Sequence, residues 1–138
     1  MQHIDEIIED FALFSDWEER YAYIIDMGRN LKPMSESLKT EENFVRGCTS
    51  QVWMTVNTDE NNKLDLVADS DALIVKGLIG ILVRVYEGQT PSEAAEIDIE
   101  GLFTKIGLSE HLSPNRRNGF FAMAQKIKAY SVASASNG

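Results

Sequence analysis

The sequence predicts an α+β fold, a small antiparallel β-sheet packed against several helices. Apolar residues recur every three or four positions through most of the 138-residue chain, as amphipathic helices require. One stretch, residues 50–69, alternates apolar and polar side chains instead and is rich in β-branched residues, with Asp59-Glu60-Asn61-Asn62 as turn chemistry in its middle. Capping residues, prolines and glycines then divide the helical segments from one another.

Ile4, Ile7, Ile8, Phe11 and Phe14 form the stripe of a first helix. Ser15-Asp16-Trp17-Glu18 has the Ser-x-x-Glu form of a capping box, so Ser15 is the expected cap of a second. Trp17, Tyr21, Ile24 and Gly28 mark its inward face, and Pro33 stops it. Residues 40–43 read as a loop, and residues 50–58 and 63–69 as the two strands of a hairpin. On the first strand Ser50, Val52, Met54 and Val56 share the core-facing side, joined by Cys48 if pairing extends back that far. Trp53 falls on the opposite side. Ser70 or Asp69 is expected to cap the next helix, with Asp71 in its first turn, where a carboxylate suits the helix dipole.

Residues 73–82 are apolar nearly all round and mark a central buried helix. Gly77 and Gly80 lower its propensity, which makes sense where a neighbouring element packs close. Gly88 ends it. Thr90-Pro91-Ser92-Glu93 is a second capping box with proline at the first helical position. A short helix follows, then one from about residue 97 to 106. Ser113-Pro114 opens the last helix, whose stripe is Phe120, Met123, Ala124, Ile127 and Tyr130. A single domain is expected over residues 1–130, with 131–138 a frayed tail that has little to bury.

A net charge of −9 argues against nucleic acid, which needs a concentrated basic surface. It suits solubility and the attraction of a basic partner. The longest apolar run, residues 72–85, is interrupted by Lys76 and is too short to cross a bilayer, so no membrane partner is expected. Residues 1–6 carry no secretory pattern. Together with one unpaired cysteine, this points to a cytoplasmic protein.

That cysteine, Cys48, stands in Arg46-Gly47-Cys48-Thr49-Ser50-Gln51-Val52-Trp53. Alone, it cannot close an internal disulfide or form a Cys-x-x-Cys pair. What remains is a single nucleophile, a carrier, or a small buried hydrophobe. No metal is expected, because Cys48, His3 and His111 have no ligand spacing. A cysteine hydrolase would need His111 as base, and nothing flanking it recommends that role. The glycines match neither nucleotide fingerprint, so no cofactor is expected. Arg116 and Arg117 sit in a helix's first turn, where positive charge opposes the dipole. Such a breach of a local rule marks Arg116 for function, while Arg117 reads as a solvated arginine.

Gly47-Cys48-Thr49-Ser50-Gln51-Val52-Trp53, then Asp69-Ser70-Asp71-Ala72…Val75-Lys76-Gly77-Leu78, then Leu112-Ser113-Pro114-Asn115-Arg116…Asn118-Gly119 together resemble the SufE family of cysteine desulfuration proteins. Asp16-Trp17-Glu18-Glu19-Arg20-Tyr21 is similar to its N-terminal helix pair. The resemblance runs from about Ile4 to Tyr130. It implies a fold similar to the IscU scaffold, with Cys48 taking sulfur from the persulfide of a pyridoxal-phosphate cysteine desulfurase of the SufS type. The sulfur would pass to an iron–sulfur scaffold of the SufBCD type. The same resemblance implies that Gly47, Asp71 and Arg116 lie on the partner-binding surface. Thr49 and Arg46 depart from the commoner family residues and flank the thiol. A CsdA-type desulfurase is the alternative donor, and a one-cysteine thiol peroxidase, with Arg46 and Thr49 around the thiol, is the alternative chemistry. Sulfur transfer needs one thiolate on each partner, whereas a cluster scaffold needs several, so one cysteine fits a carrier.

Overall fold

The alternation over residues 50–69 folds as a hairpin of β1 (Val52–Thr58) and β2 (Leu64–Ser70), antiparallel and in register from Val52 opposite Ser70 to Thr58 opposite Leu64. The computed structural model describes residues 2–47 and 50–137, with side chains at 4–47 and 50–135. The turn is closed by Asp59, whose Oδ1 accepts from the backbone N–H groups of Asn61 (2.8 Å) and Lys63 (3.0 Å). Val52, Met54, Val56, Leu64, Leu66 and Ala68 are buried, as period two demands.

The helices are α1 (Gln2–Ala12), α2 (Trp17–Arg29), α3 (Leu73–Tyr86), α4 (Pro91–Ala95), α5 (Ile99–Lys105), α6 (Leu108–His111) and α7 (Pro114–Asn137). Two short 3-10 turns, Glu36–Leu38 and Glu41–Asn43, lead into the hairpin. α3 is the central helix and touches α1, α2, β2 and α7. Its close approach to α2 depends on glycine. A Cβ on Gly77 would lie 2.4 Å from the Ile24 carbonyl oxygen, and one on Gly28 would lie 2.6 Å from the Gly77 nitrogen. The capping box at Thr90 forms with both bonds present, Pro91 at the first helical position.

Three expectations are corrected. Asp16 caps α2 in place of Ser15, its Oδ1 accepting from Glu19 N–H at 2.9 Å. Both residues are good caps, but a carboxylate binds the positive end of a helix more strongly than a hydroxyl. Within α2, Ile24 and Gly28 are buried, but Tyr21 is exposed and Trp17 is half-buried, stacked on His111 at 4.3 Å. Neither Ser70 nor Asp69 caps α3. Pairing with Val52 and Trp53 keeps both in β2, and the helix starts two residues later at Leu73, leaving Asp71 outside its first turn. α7 runs on past Tyr130 to Asn137. Ser131 is buried there and donates its hydroxyl to the Ile127 carbonyl at 2.7 Å, removing the polar group's cost.

Candidate functional site

Cys48 and Thr49 lie outside the described residues, so the expected inward orientation of the thiol does too. The chain on either side is held firmly. Before the gap, Val45 N–H donates to the Val52 carbonyl at 2.8 Å, and Phe44 forms an antiparallel bridge with Trp53. The loop containing the cysteine is therefore closed at its base on the outer edge of β1. Gly47 has φ +97°, in the left-handed region that favours glycine. Its Cα faces α7, where an added Cβ would sit 3.5 Å from Ala122 Cβ.

After the gap, Gln51 is tied to Asp71 at two points. Gln51 N–H donates to Asp71 Oδ1 at 3.0 Å, and Asp71 N–H donates to the Gln51 carbonyl at 3.3 Å. Asp71 thus holds the segment that follows the cysteine instead of completing a helix cap. Ser50 lines a narrow crevice of about 10 Å³, room for one water at most, with Val75, Leu78, Asn115, Arg116, Gly119, Phe120 and Met123. Gly47, Asp71 and Arg116, far apart in sequence, all border this one loop.

Arg116 contributes its backbone N–H to Ser113 Oγ at 3.3 Å, so Ser113 caps α7 as expected. Among the described residues its guanidinium has no hydrogen-bond or ion-pair partner. Arg117 is different from the solvated arginine expected: it is half-buried, and its Nη1 donates to the Ser109 carbonyl at 3.4 Å. That bond links α7 to α6. Arg46 is exposed, paired with Glu41 and laid over the Phe44 ring at 5.8 Å. His111 is committed to its stack with Trp17.

Trp53 is covered by Phe44, ring centroids 6.1 Å apart, and by Lys39 Nζ, 5.5 Å above its ring. Lys39 also pairs with Asp69 at 3.0 Å, and Lys76 approaches the same carboxylate at 3.4 Å. Burial pushes the Asp69 carboxyl up, but Lys39, the Ser70 N–H and Lys76 together outweigh it and leave its pKa below the ordinary value. Lys126 on α7 donates to the Met54 carbonyl at 2.7 Å, closing part of the β1 edge, and burial lowers its pKa. The tether through Gln51 and the cover over Trp53 escaped sequence reasoning. Only the alternation that turns Trp53 away from the core hinted at the second. Among the described residues there is no cluster of three His, Cys, Asp or Glu able to hold a metal, and no helix long and apolar enough to cross a membrane.

The SufE family model, described as an Fe-S metabolism associated domain, matches residues 5–131. The chain belongs to the SufE family. An uncharacterized SufE-like protein of Rhizobium meliloti is 44% identical over 132 residues, covering 94% of each chain. One from Rhizobium etli is 44% identical over 131 residues, covering 93% of this chain and 88% of its own. The solution structure of a hypothetical protein from Thermus thermophilus superposes with TM-score 0.80 at 21% identity, over 97% of this chain and 96% of that one, which shows the shared α+β fold. SufE membership supports a sulfur-transfer role in iron–sulfur metabolism and an association with cysteine desulfurases.

Proposed function

We propose that this SufE-family chain is a cytoplasmic sulfur carrier that accepts sulfur on Cys48 from a SufS-type cysteine desulfurase, stimulates that enzyme, and delivers the sulfur to a SufBCD-type scaffold. The observation that carries this is a single cysteine in a chain matched by the family over residues 5–131. The Cys48 thiolate attacks the outer sulfur of the desulfurase persulfide. A new S–S bond forms on Cys48 as the old one breaks, and the desulfurase cysteine leaves as thiolate, so charge and protons balance. Pyridoxal phosphate belongs to the donor enzyme, not to this chain.

Gly47, Asp71 and Arg116 are the residues through which the desulfurase would be met, and all three border the cysteine loop. The left-handed Gly47 supports a loop able to swing outward on docking. A peroxidase would need Arg46 turned to the thiol, whereas Arg46 is paired with Glu41. Intact mass spectrometry after incubation with a desulfurase and cysteine tests the proposal. One added sulfur on wild type, absent in Cys48→Ser, is expected. A Cys48→Ser variant that stimulates the desulfurase fully would overturn it in favour of a thiol-independent adaptor.

A further inference from the structure

The outer edge of β1 offers room for a third strand that the chain itself only begins. Val52 C=O accepts from Val45 N–H at 2.8 Å, and Met54 C=O accepts from Lys126 Nζ at 2.7 Å, so both point away from β2. Alternate residues of an antiparallel strand turn their backbone groups to the same side, which puts those of Val56 and Thr58 on that edge too. The chain's own added strand reaches only to Phe44, bridged to Trp53. Glu41–Asn43 is a 3-10 turn and leaves the lane. A groove of about 330 Å³ lies where the strand would have continued, lined by Glu42, Asn43, Thr55, Val56, Lys126 and Tyr130 among others.

Two sets of groups in this groove lack partners in the free chain. Across the outer edge, the N–H and C=O of Val56 and of Thr58 bond to none of the described residues. Such a row of open donors and acceptors is a template for another strand. The Lys126 ammonium is the second. It is half-buried and donates to two carbonyls, Met54 at 2.7 Å and Asn43 at 3.5 Å, but it pairs with no carboxylate among the described residues. A desolvated cation with no counter-charge is costly, and burial lowers its pKa. Glu42 lines the same groove, yet it is exposed and forms no ion pair with Lys126.

We propose that the outer edge of β1 at Val56 and Thr58 is a docking site for an extended segment of a protein partner, which adds as a strand and brings one carboxylate to Lys126. Backbone pairing with Val56 and Thr58 supplies affinity, and the carboxylate fixes the register. The rest of the segment is uncharged. A chain of net charge −9 repels an acidic run, and a basic one would meet Lys126. Val56 lies about 13 Å along the strand from Val52, at ~3.3 Å per residue. The segment therefore docks clear of the Val45–Val52 clamp at the base of the cysteine loop. The site makes no use of Cys48, so it stands or falls apart from the sulfur-carrier proposal.

The test is amide NMR of the full chain titrated with the capped peptide acetyl-Thr-Val-Asp-Val-Thr-amide. Two control peptides carry Asn in place of Asp, or methyl groups on the backbone nitrogens. The parent peptide should shift residues 54–58 and 126–130 saturably and give cross-strand NOEs between its amides and Val56. Methylation should weaken binding by about tenfold or more, since it removes backbone donors and leaves acceptors unpaired. Asn for Asp in the peptide, or Lys126→Met in the protein, should each weaken it by about tenfold, the scale of one charge-assisted bond. That loss should shrink at high salt. If Lys126→Met fails to fold, the Asn peptide makes the same comparison on wild type. Undiminished binding of either control peptide, shifts outside the groove only, or no saturation at millimolar peptide would each overturn the proposal. So would edge signals that move with protein concentration alone, which would seat a second copy on β1.

Discussion

Asp71→Ala should make Cys48 more reactive without unfolding the protein. Asp71 Oδ1 accepts from Gln51 N–H at 3.0 Å, three residues past the cysteine, and the substitution deletes that acceptor. The second bond, from Asp71 N–H to the Gln51 carbonyl, is backbone to backbone and survives. One charge-assisted bond at an exposed position contributes about 1 kcal/mol. Losing it raises the population of an opened loop about fivefold, at 1.4 kcal/mol per decade. Thiol alkylation followed by mass spectrometry reads that population when opening is fast relative to reaction. Wild type should label more slowly than an unstructured cysteine peptide, Asp71→Ala about fivefold faster than wild type, and Asp71→Asn, which keeps an oxygen acceptor, within about twofold of wild type. Equal rates for Ala and wild type would refute the tether. A wild type that labels at the peptide's rate would refute the inward-pointing thiol altogether. The same Asp71→Asn protein separates docking from tethering, because it should weaken desulfurase stimulation most at low salt, where a basic docking surface attracts most.

Arg116→Ala should lower desulfurase stimulation while changing stability by no more than about 0.5 kcal/mol, since its guanidinium has no partner among the described residues; a large loss of Tm with stimulation per folded molecule unchanged would make it structural. Gly77→Ala should destabilise by about 2–3 kcal/mol or more, roughly 7–12 °C in Tm, because the new Cβ meets backbone of Ile24 that cannot turn aside; a calorimetric shift of a degree or two would show that α2 and α3 can separate freely. Asp10 accepts from Arg84 and Tyr23, joining α1, α2 and α3, and the Arg84 hydrogen bond, working against burial, holds its pKa below 3.8. A lowered carboxyl contributes stability that is full above the unfolded value and lost as pH falls through and below it. Asp10→Asn should therefore cost about 0.5–1 kcal/mol near neutral pH, the range of a part-exposed pair, and the difference from wild type should shrink below about pH 4; urea midpoints that stay apart down to pH 2 would contradict this.

The helices, the hairpin and the central place of α3 were legible because period and capping are local. Thr90-Pro91-Ser92-Glu93 carries its whole structure within four residues, and it folds as a capping box. The same locality misled at Ser15 and Asp71. Two adjacent cap residues compete at α2, and their spacing cannot say which wins. Asp71 looked like a first-turn carboxylate because nothing nearby reveals that Gln51, twenty positions earlier, would offer it an N–H. Lys39, Phe44 and Trp53 come together only once the chain has turned back along β1, so no spacing announces them. The meeting of Gly47, Asp71 and Arg116 at one loop came into view in sequence only through family resemblance.

Moving Asp71 out of α3 changes what the residue is for. As a helix cap it would stabilise one element and leave the cysteine loop alone. As the acceptor for Gln51 it joins that loop to the junction of β2 and α3, while Gly47 rests against α7 on the other side. The described residues on either side of the cysteine are then held at both shoulders, with a left-handed glycine at one of them. A partner that offers Asp71 a stronger donor than the Gln51 N–H would release one shoulder on contact.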